Sequence, residues 1–198
     1  MRIERGMELL SLQEPKSAVL LDGTQVIIRP IRAEDAPRLQ SLFGRLSQES
    51  VYYRFLELRK ELTSQEARCL ADLDHEEQMA LVASCQEYDE EVIGVARYAV
   101  IPGSQPREAE AAIVVEDRYQ NRGLGALLLK RLTAYAVAQG IDAFVATIRN
   151  DNRRVLRLVK RSGLPAEFEL DAGTLMLRVR LHPEVESGAI APDREVDR

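Results

Sequence analysis

The chain is poor in the residues from which metal centres and histidine-based catalytic triads are built. Among 198 residues there are two cysteines, Cys69 and Cys85, and two histidines, His75 and His182. The cysteines lie outside any CxxC spacing, and too few ligands remain for a zinc site, so no metal is expected. The same scarcity fits a reducing, cytoplasmic compartment. Cys69 falls inside a helical pattern and reads as a small buried residue. No apolar run reaches the length of a membrane span, and the charged start Met1-Arg2-Ile3-Glu4-Arg5-Gly6 does not read as a signal peptide. The net charge of −5, with a pI of about 5.3, argues against a nucleic-acid binder, whose affinity rests on neutralising phosphates.

What is present suits one globular domain: 45% apolar and 30% charged residues. Residues 1–20 carry no strong period and are interrupted by Pro15. They read as an arm packing on the domain or on a second subunit, which leaves a homodimer open. Residues 21–182 form the expected domain, and 183–198, with Pro183, Gly188 and Pro192, the expected flexible tail.

Inside the domain, strands and helices follow in a legible order. Thr24–Arg29 is a strand, and 33–46 and 47–55 are helical. Thr63-Ser64-Gln65-Glu66 is a capping box that opens another helix through about Leu73. Strands at Gln78–Cys85 and Glu91–Val100 flank a polar turn at 86–90, and 109–115 is a third strand. A helix over 123–139 ends at Gly140, followed by a strand at 142–148, a helix at 152–162 and a hairpin around Asp171–Gly173. Short connections predict an antiparallel meander, and the step from 109 to 148 predicts a parallel pair. The class is therefore α/β (mixed α+β), with a central, mostly antiparallel sheet of six to seven strands flanked by helices.

The chemistry concentrates at Gln120-Asn121-Arg122-Gly123-Leu124-Gly125, which leaves an apolar strand and opens an apolar helix. Glycines allow close backbone approach. The first helical amides, which have no internal partners, sit at the positive end of the helix dipole, so the turn suits a pyrophosphate. A P-loop would need Gly-Lys-Ser/Thr where Gly125-Ala126-Leu127 stands, and a Rossmann turn a third Gly or Ala where Leu128 stands.

This turn resembles the Gln/Arg-x-x-Gly-x-Gly/Ala signature of the GNAT family of acetyltransferases, and the order of elements over about 24–181 is similar as well. The resemblance implies a GNAT fold and acetyl-CoA as cosubstrate. Backbone amides from about Gln120 to Ala126 would hold the pyrophosphate, so Asn121, Arg122, Gly123, Leu124 and Gly125 are candidate donor-binding residues. The pantetheine arm would bond to strand backbone near Ile113 and Val115, in a gap where that strand splays from the next. Asn152 would stand beside the pantetheine and thiol, and is equally suited to an N-cap.

A lysine acceptor has a pKa of about 10.4 and must lose a proton before it attacks. Glu110 is the candidate base. Strand alternation places it with Ala112 and Val114, where desolvation would raise its pKa. Ala109-Glu110-Ala111-Ala112 is similar to a motif of bacterial protein-lysine acetyltransferase domains, and Glu110 falls on their catalytic glutamate. Glu108 and Glu116 are reserve candidates. Residues 46–55 also look like a segment of those domains that borders the acceptor, so Tyr53 and Phe55 are candidate lining or core residues. No tyrosine follows Tyr135, so the usual acid for the leaving thiolate is missing from its place. Residues 149–161 carry a net charge of +5, a surface for phosphates or a solvated helix face. The expected acceptor is a protein lysine, with a small-molecule amine, or a non-catalytic acyl-CoA-binding module, as alternatives.

Overall fold

The computed structural model describes residues 11–85 and 91–182. The expected turn at 86–90, the start of the arm and the expected tail at 183–198 lie outside them. Eight strands form one sheet: β1 (Lys16–Val19), β2 (Gln25–Pro30), β3 (Gln78–Cys85), β4 (Glu91–Val100), β5 (Glu108–Val115), β6 (Ala143–Arg149), β7 (Ala166–Asp171) and β8 (Thr174–Arg180). Their spatial order is β1-β2-β3-β4-β5-β6-β8-β7, and only β5–β6 is parallel. The sheet thus exceeds the six to seven strands expected. The extra one is β1, whose Lys16–Val19 pairs with Ile28–Gln25 through a tight turn. Four residues are too few to show a period, so it is pairing that makes them a strand.

Besides the helical residues 11–13, five helices flank the sheet among the described residues: α1 (Ala36–Arg45), α2 (Gln48–Phe55), α3 (Ser64–Ala71), α4 (Leu124–Ala138) and α5 (Arg153–Ser162). The helix expected from 33 begins as a 3-10 turn at Ala33–Asp35, and Pro37 stands in the first turn of α1, where its missing N–H costs nothing. Thr63 and Glu66 form the predicted capping box of α3. Cys69 is exposed rather than buried. On α3 the buried positions are Ala67 and Ala71, four apart, and Cys69 points off that face.

Alternation along β3 divides the core in two. Met79, Leu81 and Ala83 pack with Leu124, Leu128, Leu132 and Tyr135 of α4, while Ala80 and Val82 pack with Leu39, Leu42, Phe43 and Val51 of α1 and α2. Burial on both faces is why β3 has no polar alternation. Strand β5 continues the division, with Ala109, Ala111, Ile113 and Val115 on the α4 side and Val114 on the α1–α3 side.

Candidate functional site

Strands β5 and β6 pair at three positions only, Glu108–Ala143, Ala109–Phe144 and Glu110–Val145. Beyond Glu110 they separate, whereas β5 stays paired to β4 as far as Val115. The Ile101 amide donates to the Glu108 carbonyl and the Glu116 amide to the Ile93 carbonyl. Even-numbered residues of β5 therefore turn their backbone toward β4. The odd-numbered Ala111, Ile113 and Val115 turn theirs toward the gap.

This gap opens into a cavity of about 710 Å³ lined by β5, β6, the turn at 120–126 and α5. Of the predicted donor-binding residues, Ile113, Val115, Gln120, Asn121, Gly123, Gly125, Ala126 and Asn152 line it. Arg122 and Leu124 do not present their side chains there. The Arg122 guanidinium pairs with Asp22 and lies over the Tyr119 ring at 5.3 Å. Leu124 is buried in the α4 core. What Leu124 offers is backbone.

Around the turn, Gly123 has φ of 92°, a left-handed conformation that favours glycine, and it caps α4 without a side-chain bond. The Gln120 amide donates to Asp117 and the Ala126 amide to Gly123. Between them the amides of Asn121, Gly123, Leu124 and Gly125 find no acceptor among the described residues, while that of Arg122 closes the turn over Gln120 and Asn121. A Cβ on Gly125 would meet nothing nearer than the Leu158 side chain at 3.9 Å. The protein leaves space in front of these amides. Such a run of free N–H groups at a helix start suits an anion.

Gln120 holds the turn in place. Its Nε2 donates to the Val115 carbonyl (2.9 Å) and to Ser50 Oγ (3.1 Å). Asp117 in turn accepts from the Ser47 amide and from the hydroxyls of Ser47 and Ser50, all within 2.8 Å, tying the start of α2 to the turn. Burial alone would raise the Asp117 carboxyl, but these hydrogen bonds outweigh it and hold the pKa below its ordinary value.

Asn152 is buried, and its Oδ1 accepts from the Val155 amide at 3.2 Å, so it caps α5 while also lining the cavity. Of the cationic cluster, Arg154, Arg157 and Arg161 border the cavity, at the spacing of one helix face, and Arg154 is paired with Glu49.

Glu110 differs from expectation in its surroundings. It is exposed rather than desolvated, and the charges nearest it are Arg54 and Arg97. The small side chains of Ala99 and Ala112 leave it open to solvent. The reserve carboxylates are engaged elsewhere: Glu116 is buried between Arg45 and Arg118, and Glu108 pairs with Arg178. Glu110 makes no hydrogen bond or ion pair within the described residues.

The two aromatics of α2 part company. Phe55 stacks against Phe43 with centroids 5.9 Å apart and belongs to the core. Tyr53 lines the cavity, the one tyrosine to do so among the described residues. Desolvation, followed by the nearby Asp151 and Glu49 carboxylates, raises its pKa. Of the two aromatics that the resemblance of residues 46–55 offered as lining or core, Tyr53 is the lining one and Phe55 the core one.

The description "Acetyltransferase (GNAT) family" matches residues 44–164. An acetyltransferase of Pseudomonas aeruginosa is 31% identical over 157 residues, covering 79% of this chain and 83% of that protein. Acetyltransferase Pat of Mycolicibacterium smegmatis is 30% identical over 161 residues, which are 81% of this chain but 47% of that longer protein. Among solved structures, the GNAT domain of S. lividans PAT superposes with a TM-score of 0.76 at 30% identity, covering 84% of this chain and 96% of that one.

Proposed function

The chain belongs to the GNAT acetyltransferase family and is an acyl-CoA-dependent N-acetyltransferase; from that premise we propose that it moves an acetyl group from acetyl-CoA to a protein lysine, with Glu110 as general base. The observation that carries the reading is one cavity that joins four free amides to a half-opened strand pair.

The residues present fit the donor. The amides of Asn121, Gly123, Leu124 and Gly125 at the start of α4 suit the pyrophosphate, with Arg157 and Arg161 adding positive charge. The gap-facing backbone of Ala111, Ile113 and Val115 suits the amide-rich pantetheine arm. Four residues of strand span about 13 Å, so an arm entering at Val115 ends near Ala111, at the closed end of the gap. Glu110 is adjacent. It takes the proton as the amine nitrogen bonds to the carbonyl carbon, and a gap-facing amide polarises the carbonyl oxygen. The C–S bond then breaks and the thiolate leaves. Tyr53 is the phenol within the cavity that can return a proton to it, from α2 instead of the usual later position.

The lysine assignment is supported by the similarity of Ala109–Ala112 and of residues 46–55 to protein-lysine acetyltransferase domains. It is tested by thiol release from acetyl-CoA over a panel of lysine-bearing proteins, amino acids and polyamines, with mass spectrometry of the acceptor. Turnover confined to small amines would move the acceptor class. CoA binding with no turnover on any acceptor would favour a non-catalytic acyl-CoA-binding module.

A further inference from the structure

The gap between β5 and β6 has two faces. The α4 and α5 face holds the free amides and the arginines suited to the donor, so an acceptor has to enter from the α1–α3 face. Three charged side chains meet there. Glu110 lies opposite Ala99 and Arg97 opposite Ala112, which makes Glu110 and Arg97 diagonal neighbours on one face of the β4–β5 ladder. Such pairs are roughly 7–8 Å apart between backbones, within reach of long side chains. Arg54 arrives from α2, over the Phe55 ring at 4.8 Å.

Arg54 lines the main cavity. It also lines, with Arg97, Ala112 and Val114, a small adjoining one of about 50 Å³. Both guanidiniums are half-buried, and neither has a direct ion pair or hydrogen bond within the described residues. Burial, then repulsion by Arg97, pushes the Arg54 pKa down to about 10 despite Glu110, and burial lowers that of Arg97. By contrast, the next arginine along, Arg59, is paired with Glu57 and Glu66. Two desolvated cations share one carboxylate, in a chain whose overall charge is −5. A second anion placed here would relieve their repulsion and replace the water they have lost.

We propose that Arg54 and Arg97 form an acceptor subsite for a carboxylate, so that the preferred acceptor is an amine carrying a carboxylate several ångströms from its nitrogen. This deepens the acyl-transfer reading and rests on it. The amine meets Glu110 while the acceptor's carboxylate meets the two guanidiniums. The carboxylate belongs either to an acidic residue flanking a protein lysine or to a free amino acid.

The test compares kcat/KM for a lysine peptide with flanking Asp and Glu against the same peptide with Asn and Gln, and for a free amino acid against the corresponding amine lacking the carboxylate. The wild-type protein should favour the carboxylate-bearing member of at least one pair by about tenfold or more, and the pair that responds identifies the source. In Arg97→Gln that ratio should fall to near one, and Arg97→Lys should keep part of it, while CoA binding by calorimetry reports that the fold is intact. A wild-type ratio near one in both pairs, or a ratio that survives Arg97→Gln, overturns the subsite. Should no acceptor turn over, the acyl-transfer reading fails separately. The subsite is then judged by titrating the CoA-loaded protein with glutarate: at least tenfold weaker binding in Arg97→Gln supports it, and equal binding overturns it.

Discussion

Replacing Gly125 by valine should leave the fold intact and disable the donor site. A Cβ at this position meets only the end of the Leu158 side chain, at 3.9–4.0 Å, which is ordinary contact. In a helix, valine is favoured over glycine by a few tenths of a kcal/mol, so the unliganded variant should melt within about 2 °C of the parent. The γ-methyls, however, enter the cavity that Gly123, Gly125 and Ala126 line. A hydrogen bond to a charged group contributes about 1.5–3 kcal/mol. Pushing the pyrophosphate off one or two amides therefore costs about 2–4 kcal/mol and raises the Kd for CoA by roughly 30- to 1000-fold. Calorimetric titration with CoA reads this directly. A thermal-shift assay gives a second measure, because ligand at 100 times its Kd adds about 2.7 kcal/mol to the parent and should add little to the variant at the same concentration. A Kd within about threefold of the parent, with unliganded stability preserved, would refute the amide cradle.

Two other substitutions examine side chains whose surroundings come from distant parts of the chain. Asp35 is buried and held by Arg29 through two bonds of 2.6 and 2.8 Å, by the Arg32 amide and by Arg38. Desolvation would raise its pKa, but these partners outweigh it and lower the value. Its contribution is thus present above about pH 4 and lost as pH falls through the lowered folded value. Asp35→Asn should cost about 3–5 kcal/mol at neutral pH by urea unfolding, with the deficit narrowing in acid; a pH-independent deficit would contradict the charge argument. Tyr53→Phe should slow turnover by about 100-fold or more with little change in the Kd for CoA. The loss should be smallest with a donor analogue whose leaving thiol is more acidic, and a uniform loss across donors would assign Tyr53 a packing role instead.

Much of the fold was legible because its signals are local. The Thr63–Glu66 box, the alternation of the meander and the stop at Gly140 each depend on residues within a few positions of one another. The gap-facing parity of Ile113 and Val115 was expected from the resemblance alone, since strand period leaves open which parity turns to β4 until the register is known. What stayed hidden depends on contacts across the chain. Lys16–Val19 is a strand only because β2 offers an edge. The Gln120 side chain closes on Val115 and Ser50 instead of reaching for the ligand. Arg54 and Arg97 are 43 positions apart and meet Glu110 only when α2 is laid against the β4–β5 ladder. Their charges, not the alanines beside Glu110 in the sequence, set its environment. That correction leaves the candidate base in place and changes its surroundings: solvent and two guanidiniums where apolar neighbours were expected.

The central claim joins a donor cavity to a proton acceptor at its closed end, and Glu110→Gln tests that junction most directly. Acetyl-transfer rates and acetyl-CoA affinity should be measured on the same preparation. The account predicts a fall in kcat/KM of about 10²- to 10⁴-fold, with the Kd for acetyl-CoA essentially unchanged because Glu110 lies outside the donor cavity lining. The residual rate should recover as pH rises and the amine deprotonates itself. An unaltered kcat/KM would contradict it, and would remove Glu110 from the reaction.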